Sequence, residues 1–172
     1  VGQIATQWAK HLGATVIAIV GSDAKAEIAR ALGADHAIIQ GREDIAQLVR
    51  EITGAGAHVV YDSVGKDTFA ASLDSLRPLG MLVSFGNSSG PPPDINPLTL
   101  SQKGSLFLTR PTLFSYTATT VQLDETAADL FDVIEKGAVR IAPPAHYALA
   151  DAAQAHSDLE ARKTTGSLVL VP

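Results

Sequence analysis

A short polar turn near residue 21 carries the side chains best suited to binding a charged group. An apolar run rich in β-branched residues, positions 15–20, is followed by Gly21 and Ser22, and Lys25 lies in the first turn of the helix that comes next. A lysine at that place opposes the helix dipole, and a bound phosphate would reverse the penalty. The hydroxyl of Ser22 and the ammonium group of Lys25 are both suitable phosphate donors.

The same turn indicates which nucleotide could bind. Folds that bind NAD usually place Asp or Glu after this strand, to accept hydrogen bonds from the adenosine ribose. Gly21 and Ser22 occupy that place here, which together with Lys25 favours the 2′-phosphate of NADPH. The alternative is an ordinary helix start capped by Ser22 or Asp23. The charge of Asp23 would also repel a phosphate unless it points away, so spacing alone leaves both interpretations open.

Two further turns follow apolar strands and contain small polar residues. One is the segment Tyr61-Asp62-Ser63-Val64-Gly65, and the other is Ser84-Phe85-Gly86-Asn87-Ser88-Ser89-Gly90. If the strands are parallel, both turns lie at the carboxyl edge of the sheet, where ligands of such folds bind. Glycines there let a cofactor approach the backbone closely, although each segment taken singly is equally compatible with an ordinary turn.

Periodicity predicts the elements that must position these turns. The spacing predicts helices at residues 1–13, 23–32, 43–53 and 68–76, alternating with strands at residues 15–20, 36–40, 58–62 and 81–85. Alternation at these lengths predicts a doubly wound parallel α/β sheet. Beyond Gly86 a Pro-rich loop precedes a strand from Ser105 to Thr109. Less regular elements follow: helices at residues 126–136 and 151–162, and strands at residues 139–142 and 168–171.

Gly2 begins the first helix, and this start suggests an incomplete nucleotide-binding unit. A glycine before a helix, a strand and a polar turn about 20 residues on form the second half of a dinucleotide-binding motif. The first strand and most of the glycine-rich turn would then lie before Val1. The alternative role for Gly2 is to permit close helix packing.

Composition excludes several classes of function. The chain has 172 residues with a formal net charge of −5, so it offers no broad basic surface for nucleic acid. Its apolar runs are far shorter than the roughly 20 residues that span a bilayer. It has no cysteine, and its five histidines show no ligand spacing, so we assign no metal site. We expect a cytoplasmic protein.

Several segments together resemble quinone oxidoreductases related to zeta-crystallin, the zinc-free branch of the medium-chain dehydrogenases and reductases. The matching segments are residues 1–10, 59–65, 83–90, 102–106, 109–111, 155–156, 159–162 and 166–167. The resemblance covers essentially the whole chain, and its motifs are specific jointly rather than singly.

The resemblance implies a subunit of two domains with NADPH between them. Residues 1–111 would form a Rossmann-like NADPH-binding domain that lacks its first strand, and residues 112–172 would partly return to a GroES-like catalytic domain. The cofactor-binding residues implied are Gly2, Gly21, Ser22, Lys25, Ser63, Phe85, Gly86, Ser88 and Arg162. The family pairs the edge strand from Ser105 to Thr109, which implies a homodimer. The substrate-facing residues would lie in the part before Val1, so we name no catalytic residue.

The implied activity is hydride transfer from NADPH to a quinone. This chain would contribute cofactor affinity, and on its own we expect it to be inactive. The alternatives are an enoyl or enone reductase on the same scaffold and a non-catalytic dinucleotide-binding protein, because fold does not fix function. A methyltransferase is disfavoured, because Ser22 and Lys25 suit a phosphate rather than S-adenosylmethionine.

Overall fold

The computed structural model describes residues 1–161 and 163–172. Within them the α-helices are α1 (Gly2–His11), α2 (Asp23–Ala31), α3 (Ile45–Thr53), α4 (Phe69–Asp74), α5 (Pro97–Gln102), α6 (Leu113–Tyr116), α7 (Thr120–Glu135) and α8 (Ala152–Glu160). The strands are β1 (Ile17–Val20), β2 (His36–Ile39), β3 (Ala57–Asp62), β4 (Leu76–Ser84), β5 (Phe107–Thr109), β6 (Ala145–Ala148) and β7 (Leu168–Val171). A short 3₁₀-helix, Leu149–Asp151, precedes α8.

Polar caps fix where several of the helices begin. The Asp44 carboxylate accepts a hydrogen bond from the Gln47 amide at 2.9 Å and starts α3. Thr119 and Gln122 form a reciprocal capping box at the start of α7. Each cap satisfies backbone donors that have no partner inside the helix, so these starts are defined by local sequence.

The strands form three sheets, in which every neighbouring pair is parallel. β1 pairs with β2, β3 and β5 flank β4, and β6 pairs with β7. Helices connect the successive parallel strands, as right-handed crossovers require. The predicted doubly wound α/β class is therefore confirmed, and β5 lies at an edge of the three-stranded sheet.

The main apolar core lies on one face of that three-stranded sheet. Phe69 and Leu73 from α4 pack there against Leu76 and Leu82 of β4 and against Leu106, and Leu82 is fully buried. The apolar run Met81-Leu82-Val83 in β4 is typical of a strand in a parallel sheet. The core thus holds the carboxyl ends of β3 and β4 on a rigid base.

The second half of the chain differs from prediction in three places. The strand predicted at residues 139–142 is wrong: the Val139 amide donates to Val133 O at 3.0 Å, so this segment closes the end of α7. The strand in this part of the chain is β6, which follows a few residues later at Ala145–Ala148. The capping box starts α7 at Thr120, six residues earlier than predicted. The helices α5 and α6 were not predicted.

Candidate functional site

The predicted site residues follow the carboxyl ends of three parallel strands. Gly21 and Ser22 follow β1, Ser63 follows β3, and Phe85, Gly86 and Ser88 follow β4. This is the edge at which open α/β sheets bind ligands. Gly2 lies at the first position of α1, where an added Cβ would meet no atom within 4 Å. The prediction for Arg162 lies outside the described residues.

Ser22 caps the helix that follows β1. Its backbone is extended, and its Oγ accepts a hydrogen bond from the Lys25 amide at 3.4 Å. The hydroxyl proton of a serine in this position is still available to a ligand. Beside it, an added Cβ at Gly21 would meet no atom within 4 Å, so there is room against this backbone. The turn after β1 therefore has the space and the donors that a phosphate needs.

Arg42 joins this turn through an ion pair that was not predicted from sequence. Its Nη1 lies 2.9 Å from a carboxylate oxygen of Asp23, in the first turn of α2. The ion pair offsets the acidic charge that would otherwise repel a phosphate at Ser22. Residues 23 and 42 are far apart in sequence, and only the parallel pairing of β1 with β2 brings their strand ends together. The predicted parallel pairing of these two strands was the one feature of the sequence that could have suggested Arg42.

The turn after β3 is organised by a buried carboxylate. Asp62 is 4% exposed, and its Oδ1 accepts hydrogen bonds from the Val64 amide at 2.8 Å and the Gly65 amide at 3.1 Å. The hydroxyls of Thr68 and Ser72 donate to Oδ2 at 2.8 Å and 2.7 Å. Burial alone would raise the pKa of Asp62, but these hydrogen bonds outweigh it and hold the pKa below its usual value. Asp62 is therefore a carboxylate at neutral pH.

The turn after β4 lies directly against the turn after β3. A Cβ added at Gly86 would be 2.8 Å from Ser63 Cα and closer still to the Ser63 carbonyl oxygen, so only glycine fits. The Ser88 amide donates to Ser63 O at 3.2 Å. Arg110 fixes the other side, because its Nη1 donates to the carbonyl oxygens of Ser84 and Gly86, each at 3.1 Å. The structure thus brings Ser63, Gly86 and Ser88 together as one surface.

A cavity of about 340 Å³ opens beside this surface. Its lining residues are Phe69, Ser84, Asn87, Pro91, Pro92, Pro93, Ile95, Leu108 and Arg110. A second cavity, of about 550 Å³, lies near the ends of α1 and α2 and is lined by Lys10, His11 and Arg140 among others. It lies away from the strand ends. The cavity at the strand ends is the one that adjoins the chemistry predicted from sequence.

Residues 1–161 and 163–172 contain no cluster of three or more His, Cys, Asp or Glu side chains placed to hold a metal ion. Among the same residues, no helix combines the length and the apolar character needed to cross a membrane.

Known proteins match the chain along its whole length. A quinone oxidoreductase of Pseudomonas aeruginosa is 53% identical over 173 residues, which cover 100% of this chain and 53% of the relative. A 2-haloacrylate reductase of a Burkholderia species is 46% identical over 99% of this chain and 52% of the relative. The chain therefore spans about half the length of the curated relatives it matches, and the resemblance to quinone oxidoreductases is confirmed.

Solved structures and a family model agree with these relatives. The crystal structure of Escherichia coli quinone oxidoreductase complexed with NADPH superposes with a TM-score of 0.93 at 46% identity, covering 99% of this chain and 53% of that one. The family model described as zinc-binding dehydrogenase matches residues 1–135. The chain belongs to the zinc-binding dehydrogenase family.

Proposed function

We propose that this chain is the NADPH-binding portion of an enzyme that reduces quinones. The observation that carries the proposal is the turn after β1, where Ser22 and Lys25 stand in place of the acidic residue expected for NAD. The open space at Gly21 leaves room for a cofactor against the turn after β1, and the close approach of Gly86 to Ser63 holds the other two turns together. The NADPH complex of the Escherichia coli relative supports the same cofactor.

Each predicted residue has a role in this proposal. Gly21, Ser22 and Lys25 bind the adenosine phosphate by hydroxyl and ammonium donors, and Arg42 offsets the charge of Asp23 beside them. The Ser63, Phe85, Gly86 and Ser88 surface lines the channel for the rest of the cofactor. Gly2 lies at the start of α1, where helix amides suit the pyrophosphate. The role proposed for Arg162, contact with the cofactor phosphates, rests on the family resemblance alone.

The chemistry that NADPH supplies when bound is hydride donation, and the residues of this chain orient it. A quinone that accepts a hydride and a proton becomes a hydroquinone, so no further reductant is needed. Rigid turns held on buried strands suit this role, because orientation accounts for much of the rate in such transfers.

The division into two units is also a proposal. Residues 1–111 form the nucleotide-binding domain, and residues 112–172 return in part to the catalytic domain. The separate β6–β7 sheet supports this division. So does the exposed apolar rung of Val59, Met81 and Phe107 on the three-stranded sheet, which are 43%, 37% and 56% exposed. Parallel sheets are normally covered on both faces, so further chain is expected to cover this one.

The proposed activity is tested by steady-state reduction of benzoquinone by the intact protein, with NADPH and NADH compared side by side. We expect turnover with a strong preference for NADPH. Equal rates with both cofactors would contradict the phosphate role of Ser22 and Lys25 and leave the reductase proposal standing. NADPH binding without turnover on any acceptor would favour a non-catalytic dinucleotide-binding protein.

Reduction of an activated carbon–carbon double bond is the second candidate, and the Burkholderia 2-haloacrylate reductase favours it. The cofactor-binding residues proposed for this chain do not separate the two activities. The same assay with an enone or a haloacrylate in place of benzoquinone does. If kcat/KM is higher for the alkene than for benzoquinone, the alkene replaces the quinone as the proposed substrate.

We further propose a homodimer formed through the edge strand from Ser105 to Thr109. Phe107 in this strand is 56% exposed, and β5 has a free edge in the described structure. Replacing Phe107 with lysine should convert a dimer to a monomer in sedimentation velocity, because edge lysines block strand pairing. Leu12→Lys is the matched control, since Leu12 is also exposed but lies beyond α1. A dimer that survives Phe107→Lys would contradict this interface.

A further inference from the structure

Asp62 stands apart from the other acidic residues. Within the described residues it is the one ionisable side chain among the buried set, at 4% exposed. A buried charge is unfavourable unless donors surround it, and a fold that needed only packing here could use an apolar residue. The position of Asp62, at the last residue of β3, connects it directly to the turn that carries Ser63.

The two oxygens of Asp62 serve different parts of the structure. Oδ1 accepts from the Val64 amide at 2.8 Å and the Gly65 amide at 3.1 Å, which fixes the backbone of the turn. Oδ2 accepts from Thr68 and Ser72, which tie it to the start of α4 and to its buried face. The carboxylate thereby links the turn after β3 to the rigid core.

The turn after β3, which Asp62 holds in place, also supports the turn after β4. The Ser88 amide donates to Ser63 O at 3.2 Å, and the Ser89 amide donates to Val64 O at 2.9 Å. The Ser89 hydroxyl donates to Val64 O at 2.9 Å and accepts from the Asp67 amide at 3.1 Å. Any shift of residues 63–65 would therefore displace the surface formed by Ser63, Gly86 and Ser88.

We propose that Asp62 is a positioning residue for NADPH, which sets the cofactor channel by holding the two turns in register without touching the cofactor. The inference rests on the proposed function. It is supported by the direct backbone bonds from Asp62 to the turn and by the hydrogen bonds from that turn to residues 88 and 89. Because the role needs an acceptor at Oδ1 rather than a charge in contact with the ligand, asparagine should replace Asp62 better than alanine does.

The test measures the NADPH dissociation constant, and KM and kcat, for variants of the intact protein. Asp62→Ala should raise both Kd and KM for NADPH about tenfold or more, because small displacements of positioning groups have effects of this size. Asp62→Asn keeps an acceptor for the two amides and should stay within about threefold of wild type, on the same reasoning. The KM for quinone should change little in either variant.

Leu73→Ala is the matched control for loss of stability. Leu73 is buried on α4, the helix that Asp62 contacts through Ser72, but it makes no hydrogen bond to the turn. It should lower Tm as Asp62→Ala does and leave the NADPH Kd unchanged. If Leu73→Ala weakens NADPH equally, the effect is general destabilisation and the positioning role is overturned.

The remaining outcomes separate this inference from the proposed function. Wild type that does not bind NADPH overturns both. Wild type that binds, with Asp62→Ala binding equally well, overturns only the positioning role. If Asp62→Ala fails to fold, Ser89→Ala carries the test, since it removes a link between the turns while the carboxylate remains. We expect a Kd about threefold higher for Ser89→Ala, and an unchanged Kd overturns the inference.

Discussion

Replacing Gly86 with alanine should lower the free energy of unfolding by about 3 kcal/mol and weaken NADPH binding at the same time. The added Cβ would lie 2.8 Å from Ser63 Cα and closer to the Ser63 carbonyl oxygen. Both are backbone atoms, so no side chain can rotate to relieve the overlap. For a chain of this length such a loss corresponds to a fall in Tm of about 6–12 °C, measurable by thermal unfolding.

Gly2→Ala is the control for this experiment. An added Cβ at Gly2 meets no atom within 4 Å, and Gly2 lies in a helix, where alanine is the better residue. Its stability should stay within about 0.5 kcal/mol of wild type. A Gly86→Ala protein that melts with wild type would mean that the two turns are not in close contact in solution. NADPH titration of Gly86→Ala beside Leu73→Ala, a buried substitution outside the cofactor surface, then separates lost packing from lost affinity.

The parallel fold could be predicted from sequence because its signals are local. The apolar run before Gly21 and the short connections between elements define the strands, and the predicted strand 168–171 has the observed bounds. The strand predicted at residues 139–142 was wrong because a hydrogen bond at a helix end decides the backbone conformation there. The hydrogen bond from the Val139 amide to Val133 O closes the end of α7, although the composition of this segment resembles that of a strand.

The candidate site also contains some residues that could be predicted from sequence and others that could not. The turns that contain Ser63, Gly86 and Ser88 could be predicted at the ligand-binding edge because small polar residues follow parallel strands there, and the family resemblance assigned these residues to the cofactor. Arg42 and Arg110 could not, since each acts on a strand end that is distant in sequence. The role of Asp62 was equally hidden: its type and position were visible in the sequence, but its hydroxyl donors, Thr68 and Ser72, reach it only because α4 packs on β3.

Replacing Lys25 with glutamine should weaken NADPH binding about 10–100-fold and leave NADH binding within about twofold. The estimate follows from a charged hydrogen bond to phosphate, worth about 1.5–3 kcal/mol, with about 1.4 kcal/mol for each factor of ten. The 2′-phosphate is the group that NADH lacks, so the ratio of the two dissociation constants isolates this contact. Fluorescence titration of the intact protein with each nucleotide gives both constants.

Lys136→Gln controls for the change in net charge, because Lys136 is exposed at the end of α7 and pairs with Asp132. It should leave both constants unchanged. The NADPH dissociation constant of Arg42→Gln should lie between those of Lys25→Gln and Lys136→Gln. Arg42 touches no phosphate in this proposal, but its loss leaves the charge of Asp23 without its partner. High salt should narrow these differences, because the Debye length falls from about 10 Å at 0.1 M to about 3 Å at 1 M. Equal weakening of NADH and NADPH by Lys25→Gln would show that Lys25 supports the turn rather than the phosphate, and the cofactor preference would then have to arise elsewhere on the strand edge.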